Sequence, residues 1–405
     1  MPATFAYKVR DREGRLVEGS LEADSSELVV NKLRQMGYVP VAIERTDGVG
    51  LKKDIKLPFG GKASQKDVAI FSRQFATMIN AGLSLIRALH ILEEQTENEK
   101  LRETARAVRT DVERGSSLAQ ALGRHPKVFS RLYVAMVKAG EAGGVLDSVL
   151  LNLASTIEKQ VELKRKIKSA MTYPVAVFVI VIVIVSAMLM FVVPMFEDLY
   201  SELGGTLPLP TRILLAASGF VTGFFPFIIL ATIVGVFLLR RWIATDKGRA
   251  VWDAMKLKLP VFGKLVHKTA ITRFCRTLSV LLRSGVPVLE SLEITSETVG
   301  NTVVATAVKD TQEAVKGGES MASPLTKHAV FPPMVVQMLA VGEETGAVDD
   351  MLDRVADFYD QEIEAMVDAL TSLLEPLLIV MMGGTVGGMV VALYMPMFNI
   401  INLIQ

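Results

Sequence analysis

The chain has 405 residues, of which 50% are hydrophobic and 21% are charged, and its mean hydropathy is +0.38. This composition excludes an ordinary soluble domain and predicts apolar membrane spans that alternate with charged domains. The net charge of +1 excludes a strongly basic nucleic-acid binder, and the single cysteine, Cys275, excludes an intrachain disulfide.

Residues 1–46 predict a small α+β module. The alternation of apolar and polar residues favours a hairpin with its turn near Gly14, followed by a helix over 25–36 and a third strand over 38–44. The first residues lack a charged region followed by an apolar run, so no cleavable signal peptide is expected. The polar, glycine-rich stretch 47–63 is typical of a linker.

Residues 64–169 predict a helical domain. Ser64 and Asp67 have the spacing of a capping box, and apolar residues then recur at helical intervals. Glycine and proline interrupt this pattern often enough to give about six helices, for which an antiparallel bundle is the expected packing. Residues 243–375 show a similar pattern and predict a second bundle.

Three uncharged stretches are long enough to cross about 30 Å of hydrocarbon. They cover residues 174–196, 213–239 and 376–398, with a short external loop predicted over 197–212. Basic residues lie before the first span and after the second, which predicts a cytoplasmic N-terminus and two cytoplasmic bundles. The third span has no flanking Lys or Arg, so its direction follows from parity alone.

A long internal repeat relates the two halves of the chain. At an offset of 203, Phe71, Arg73 and Gly82 recur as Phe274, Arg276 and Gly285. The segment GEAGGVLD (140–147) recurs as GEETGAVD (342–349), and each copy ends its span in Pro-Met-Phe. The repeat therefore includes a bundle and a span, and indicates a duplication.

The repeated positions are the candidate contact residues. Glycine at the end of a helix permits a left-handed turn, and each acidic residue after it favours the start of the next helix. An alternative function is a close helix contact in which the glutamate faces a partner or an arginine of a neighbouring subunit. These candidates are Arg73, Gly82, Gly140, Glu141, Gly144, Asp147, Arg276, Gly285, Gly342, Glu343, Gly346 and Asp349.

Within the spans, small residues at four-residue spacing favour a helix–helix contact, and proline releases backbone carbonyls. The glycines are Gly383, Gly384, Gly387 and Gly388, and the prolines are Pro194 and Pro396, for which a kink and a helix end are both open.

Charge is divided unevenly between the two bundles. Residues 64–169 carry 17 Lys/Arg and 12 Asp/Glu, whereas residues 243–375 carry 13 and 19. The resulting charges of +5 and −6 predict opposite potentials that steer the bundles towards each other or towards partners, although ordinary solvated helix faces also fit. The basic run Lys164–Lys168 is expected to face lipid headgroups.

The sequence offers no catalytic, cofactor-binding or metal-binding constellation. Gly14 and Gly19 have P-loop spacing but no lysine follows, and no histidine has a partner at metal-ligand spacing. Two classes of function remain: a structural adaptor without enzymatic activity, and a small-molecule transporter or channel subunit. No span carries an ionisable residue of the kind that transporters use, so the adaptor is favoured.

The paired GE(A/E)(G/T)G segments, the Leu-Pro-Leu-Pro-Thr after the first span and the two Pro-Met-Phe endings resemble the type II secretion system F family. The resemblance covers nearly the whole chain. It implies an inner-membrane platform of type II secretion or type IV pilus assembly, with a cytoplasmic N-terminus and self-association. It also implies contact with a cytoplasmic hexameric ATPase, with pilin or pseudopilin subunits and with other inner-membrane assembly proteins. Whether such a machine secretes enzymes, builds a pilus or takes up DNA is left open.

Overall fold

The computed structural model describes residues 3–10, 16–23, 25–46, 63–196, 208–260 and 262–401. Its contacts divide the chain into two units, Met1–Gly60 and Gly61–Gln405. The second unit holds both helical repeats and the three helices that are long and apolar enough to cross a membrane. The mainly helical fold with repeated bundles, predicted from the sequence, is confirmed.

The first unit contains a three-stranded antiparallel sheet and one helix. Strands β1 (Ala3–Arg10), β2 (Leu16–Ala23) and β3 (Val39–Thr46) lie in the order β2-β1-β3. Helix α1 (Ser26–Gln35) begins after Ser25, whose hydroxyl accepts a hydrogen bond from the Leu28 N–H. The predicted turn at Gly14 and nearly all of the predicted linker lie outside the described residues.

The first repeat consists of six helices. It begins at the predicted capping box, which is confirmed because Ser64 and Asp67 exchange side-chain and backbone hydrogen bonds. The helices are α2 (Gln65–Asn80), α3 (Leu85–Gln95), α4 (Glu99–Glu113), α5 (Leu118–Gly123), α6 (Arg131–Gly143) and α7 (Leu146–Ala187).

The second repeat follows the membrane helix α8 (Leu209–Ile243) and one additional helix, α9 (Asp246–Lys258). Its helices are α10 (Phe262–Arg283), α11 (Val288–Thr298), α12 (Thr302–Lys316), α13 (Ala322–Leu325), α14 (Pro333–Thr345) and α15 (Val348–Ile401). The apolar core of the first repeat includes Val280, Leu281 and Ile294, so residues of both repeats contribute to it.

Two helices run without interruption from a bundle into a predicted span. The first continues from Leu146 to Phe196, 51 residues, through Pro174 and a π-helical turn over Met188–Val192. At 1.5 Å per residue this helix is about 77 Å long. Helix α15 covers 54 residues and likewise joins the second bundle to the third span. Each repeat is therefore connected to its span by one continuous helix.

Candidate functional site: the contacts between and within the two repeats

The repeated glutamates bind the ends of short helices. The Glu141 carboxylate accepts hydrogen bonds from the N–H groups of Leu118 (2.6 Å) and Ala119 (2.9 Å), at the start of α5. Glu343 accepts in the same way from Met321 (2.6 Å) and from Ala322 (3.1 Å), at the start of α13. A carboxylate is favourable there because the first N–H groups of a helix lack intrahelical acceptors.

Within one copy of the chain the glutamates bond inside their own repeat, and their contact with a partner or a neighbouring subunit stays a prediction. Each one contacts backbone N–H groups of its own repeat, and neither has an arginine partner among the described residues. The helix that carries each glutamate is therefore hydrogen-bonded to the short helix that precedes it in the same bundle. No local pattern predicts these hydrogen bonds, since the bonded groups are about 22 residues away in the chain.

The glycine before each glutamate permits a close approach between consecutive helices. A Cβ atom at Gly342 would lie 2.7 Å from the Val348 Cα, and one at Gly140 would lie 3.1 Å from the Val149 Cβ. Gly144 and Gly346 end their helices with φ of 69° and 71°, a left-handed conformation that disfavours a side chain.

The other four candidates of this set occupy helix ends. Gly82 and Gly285 have φ of 85° and 79° after α2 and α10, so the duplicated turn is the same in both repeats. Asp147 lies in the first turn of α7 and Asp349 in the first turn of α15. Asp349 also accepts a hydrogen bond from the Arg283 Nε at 3.2 Å.

The repeated arginines connect the first helix of each bundle to its long last helix. Arg73 donates through Nε to the Glu158 Oε1 at 2.7 Å. Its Nη2 donates to the other carboxylate oxygen, so the pair is bidentate. Its hydrogen bond lowers the pKa of the Glu158 carboxyl. Glu158 corresponds to Asp360 at the offset of 202, so this ion pair is duplicated.

In the second repeat the arginine is buried and has three carboxylate partners. Arg276 is 5% exposed and lies 2.7 Å from Asp353, 2.8 Å from Asp357 and 2.6 Å from Asp360. Burial raises the pKa of the Asp360 carboxyl, against the opposing charge of Arg276. The cluster fixes α10 against α15 within the second bundle.

Basic residues of the first repeat pair with acidic residues of the second, as the opposite charges of the two bundles predicted. Lys166 lies 2.6 Å from Glu364, and Lys159 lies 3.1 Å from Asp357. Further from the spans, Arg131 pairs with Glu293 at 3.1 Å and with Glu297, and Lys138 lies 3.6 Å from Glu290. These pairs fix one repeat against the other over two separate regions.

The candidate residues within the spans fall into two groups. A Cβ atom at any of Gly383, Gly384, Gly387 or Gly388 would have no neighbour within 4 Å, so within one copy of the chain their face has no packed partner among the described residues. Pro194 lies inside the first long helix, just after the π-helical turn, and Pro396 lies inside α15, five residues before that helix ends. Both helices therefore continue past their prolines.

Hydroxyl groups of α8 bond to backbone carbonyls of the other two spans. The Ser218 hydroxyl donates to the Leu189 carbonyl within the π-helical turn, and the Thr211 hydroxyl donates to the Ala392 carbonyl at 2.6 Å. In lipid such bonds satisfy carbonyls that an irregular helix leaves open. Sequence analysis missed both residues, because an isolated Ser or Thr in an apolar span carries no distinctive pattern.

In the part of the chain that the structure describes, no group of three His, Cys, Asp or Glu side chains is arranged so that it could hold a metal ion. The thiol of Cys275 is buried, and burial raises its pKa above the usual value. A protonated thiol in an apolar core is a poor nucleophile.

Comparison with known proteins gives matches over most of the chain. Residues 71–194 and 274–396 each match the family described as type II secretion system (T2SS), protein F, and residues 1–44 match the N-terminal domain of that protein. The chain is 47% identical over 405 residues to a type IV pilus assembly protein PilC of Thermus thermophilus, with 99% of both chains covered. It is 41% identical to the PilC of Myxococcus xanthus, with 100% of this chain and 96% of the relative covered. It is 34% identical to a type II secretion system protein F of Vibrio cholerae, with both chains fully covered.

Proposed function

The chain belongs to the type II secretion system protein F family, and we propose from this membership that it is the inner-membrane platform of a type IV pilus or type II secretion assembly machine. In this role it couples a cytoplasmic hexameric ATPase to the polymerisation of pilin or pseudopilin subunits. Other inner-membrane assembly proteins and further copies of the chain complete the platform.

The observation that carries this proposal is the continuity of the two long helices. Each bundle is joined to its span by one unbroken helix, and the bundles are fixed against each other by ion pairs. A displacement of the cytoplasmic bundles is therefore passed on to the membrane without a flexible joint. A coupling element between an ATPase and a membrane-embedded subunit needs this property.

Type IV pilus assembly is favoured over type II secretion. The two pilus assembly relatives named above are 47% and 41% identical to this chain, compared with 34% for the secretion relative.

We place the N-terminus and both bundles in the cytoplasm. The support is the basic flank of each span: Lys164 and Lys168 precede the first span, and Arg240 and Arg241 end α8. Basic residues are retained on the cytoplasmic side of a bacterial inner membrane. Parity then places the end of the third span outside.

The chain is proposed to have no catalytic activity, so the energy for movement comes from the ATPase partner. A transporter is less favoured, because the described parts of the three spans hold no ionisable side chain that would bind a polar substrate. The packed hydroxyls of Thr211 and Ser218 are already used within the protein.

The proposal is tested by reconstituting the full chain in nanodiscs and adding the assembly ATPase encoded beside it. A complex that copurifies and changes the rate of ATP turnover is the expected result, with empty nanodiscs of the same lipid as the control. A folded chain that forms no complex and leaves turnover unchanged would contradict the adaptor function.

A further inference from the structure

A cavity of about 310 Å³ lies between α7, α10 and α15, next to the start of the first span. This volume is at the lower end of the range of small-molecule sites, ~300–1,000 Å³. One side is lined by Leu163, Ile167 and Met171 of α7, and the other by polar and basic residues of α10. α7 also contributes Lys164 and Lys168, so apolar and basic side chains lie together around the cavity, and this combination suits an amphiphile with an anionic head.

The cavity holds more positive charge than the protein itself neutralises. Arg276 and Lys159 line it, but both are paired with aspartates. Lys168 and Arg273 also line it, and neither has a hydrogen bond or an ion pair with any described residue. Lys164 donates only to the neutral amide oxygen of Gln65, at 3.2 Å. Three cations therefore remain for an external anion.

A buried hydroxyl in the cavity lining lacks a partner. Thr272 is 4% exposed, and its Oγ1 has no hydrogen-bond partner, although most buried hydroxyls in helices bond to a carbonyl. Arg273 is the next residue on α10. The residue as a whole is exposed, but the protein around its guanidinium excludes water, and this desolvation lowers the pKa of Arg273. The Arg273 cation is the unpaired group that an anionic oxygen would bind, whereas the Thr272 Oγ1 is itself fully buried and does not open into the cavity.

The matching face of the first repeat lacks these groups. At the offset of 203, Thr272 and Arg273 correspond to Ala69 and Ile70, which line a separate cavity together with Arg73 and Arg165. The two repeats therefore share the arginine of the ion pair, which is buried only in the second repeat, and the unpaired cation Arg273 occurs in the second repeat only. A purely structural role shared by both repeats would not require this difference.

The depth of the cavity identifies the source of the anion. Lys168 is six residues before Pro174, where the uncharged stretch begins, which is about 9 Å along the helix. Basic side chains at this depth reach the phosphates of the cytoplasmic leaflet, and basic pockets between membrane helices bind anionic headgroups.

We propose that this cavity binds the phosphate of an anionic phospholipid, with Arg273 and Lys168 as donors and the apolar side chains Leu163, Ile167 and Met171 against its glyceryl and acyl carbons. This site goes beyond the platform function and does not depend on it. The bound lipid fills the gap between the first repeat's long helix and the second repeat, and so fixes the distance between the two bundles.

The test measures lipid binding to the detergent-solubilised full chain by native mass spectrometry. Phosphatidylglycerol is compared with phosphatidylcholine of the same acyl chains, and inorganic phosphate is titrated separately. Phosphatidylglycerol is expected to bind about tenfold more tightly, and Arg273→Gln to reduce that binding about tenfold, as expected for loss of a charged hydrogen bond. Lys168→Gln, at an exposed and unpaired position, provides a second variant that leaves the fold intact.

The matched control is Arg165→Gln, which removes the same charge as Arg273→Gln from α7, the helix that also carries Lys168. Arg165 is exposed, has no partner among the described residues and lines the other cavity. Its variant is expected to bind phosphatidylglycerol within twofold of the wild type. Equal losses in Arg165→Gln and Arg273→Gln, or no preference for phosphatidylglycerol, would overturn the site. Phosphate binding that depends on Arg273 without any lipid preference would overturn the lipid as its source.

Discussion

Replacement of Glu343 by glutamine tests whether the repeated glutamate acts as a tertiary helix cap. The wild-type carboxylate accepts from the N–H groups of Met321 and Ala322, at 2.6 and 3.1 Å. The amide of glutamine keeps one acceptor oxygen and presents an NH₂ group to the second N–H. One hydrogen bond to a charged group is lost, which costs about 2 kcal/mol.

The effect should be local, because the lost hydrogen bond holds only the first turn of α13, a helix of four residues. A loss of about 2 kcal/mol corresponds to about a 30-fold rise in the opening equilibrium. Hydrogen exchange by mass spectrometry on the detergent-solubilised chain should show this acceleration in peptides that cover residues 320–325, with little change in α10 or α15.

The neighbouring glutamate supplies the control. Glu344 is exposed and has no hydrogen bond or ion pair with a described residue, so Glu344→Gln should leave exchange within twofold of the wild type. The capping role would be refuted if both variants exchanged alike over residues 320–325, or if the acceleration appeared only in α15.

Further predictions concern close packing, charge and pH. Gly342→Ala places a Cβ 2.7 Å from a backbone atom and should cost about 1–3 kcal/mol, which is measured as a lower melting temperature. The Cβ of Gly383→Ala meets nothing within 4 Å, so this variant should leave the melting temperature of a single copy of the chain unchanged. Arg276→Met leaves Asp360 without a cation and removes one of two cationic partners from Asp353 and from Asp357. It should cost about 3–5 kcal/mol, against at most ~1 for the more exposed Arg73→Met, and equal melting temperatures would contradict this. Lys166→Glu should weaken the contact between the repeats, and Glu364→Lys in the same chain should restore it, as measured by protease protection of α7. The hydrogen bonds from Arg106 and Arg109 lower the pKa of the buried Glu93 carboxyl below 4.5. The stabilisation of the fold by the ionised Glu93 is therefore complete above that pH and is lost as the pH falls through the lower pKa of the folded state. The difference in melting temperature between the wild type and Glu93→Gln should therefore close on acidification; a constant difference would contradict the assignment.

Local patterns in the sequence predicted those features whose partners are close in the chain. The Ser64–Asp67 capping box needs only four residues, and the left-handed turns at Gly144 and Gly346 follow from helix-ending glycines. The opposite charges of the two bundles predicted their attraction. They did not predict which pairs form, because the pairing of Lys166 with Glu364 depends on how α7 lies against α15.

Tertiary contacts account for what the sequence did not reveal. The bonds from Glu141 to α5 join residues more than 20 positions apart, and a capping role for a mid-helix glutamate has no local signature. The change from basic to apolar residues before Pro174 favoured a span separate from the last helix of the first bundle. The structure has one continuous helix there, because proline at position 174 lacks an N–H and so removes only one hydrogen bond from a long helix. The cavity beside Arg273 arises only where three helices meet.

The most direct test of the coupling proposal is a flexible break at the junction between the first bundle and its span. The triple variant Ser169→Gly, Ala170→Gly, Met171→Gly costs about 1 kcal/mol of helix stability per residue and leaves the uncharged span unchanged. The matched control, Ser169→Ala with Met171→Ala, removes the same side chains and keeps the helix.

Both variants are measured for membrane insertion, for copurification with the assembly ATPase and for pilin assembly. The account predicts that the glycine variant inserts and binds the ATPase but does not support assembly, whereas the alanine control assembles normally. Normal pilin assembly by the glycine variant would contradict a mechanism in which a rigid helix transmits motion from the cytoplasm into the membrane.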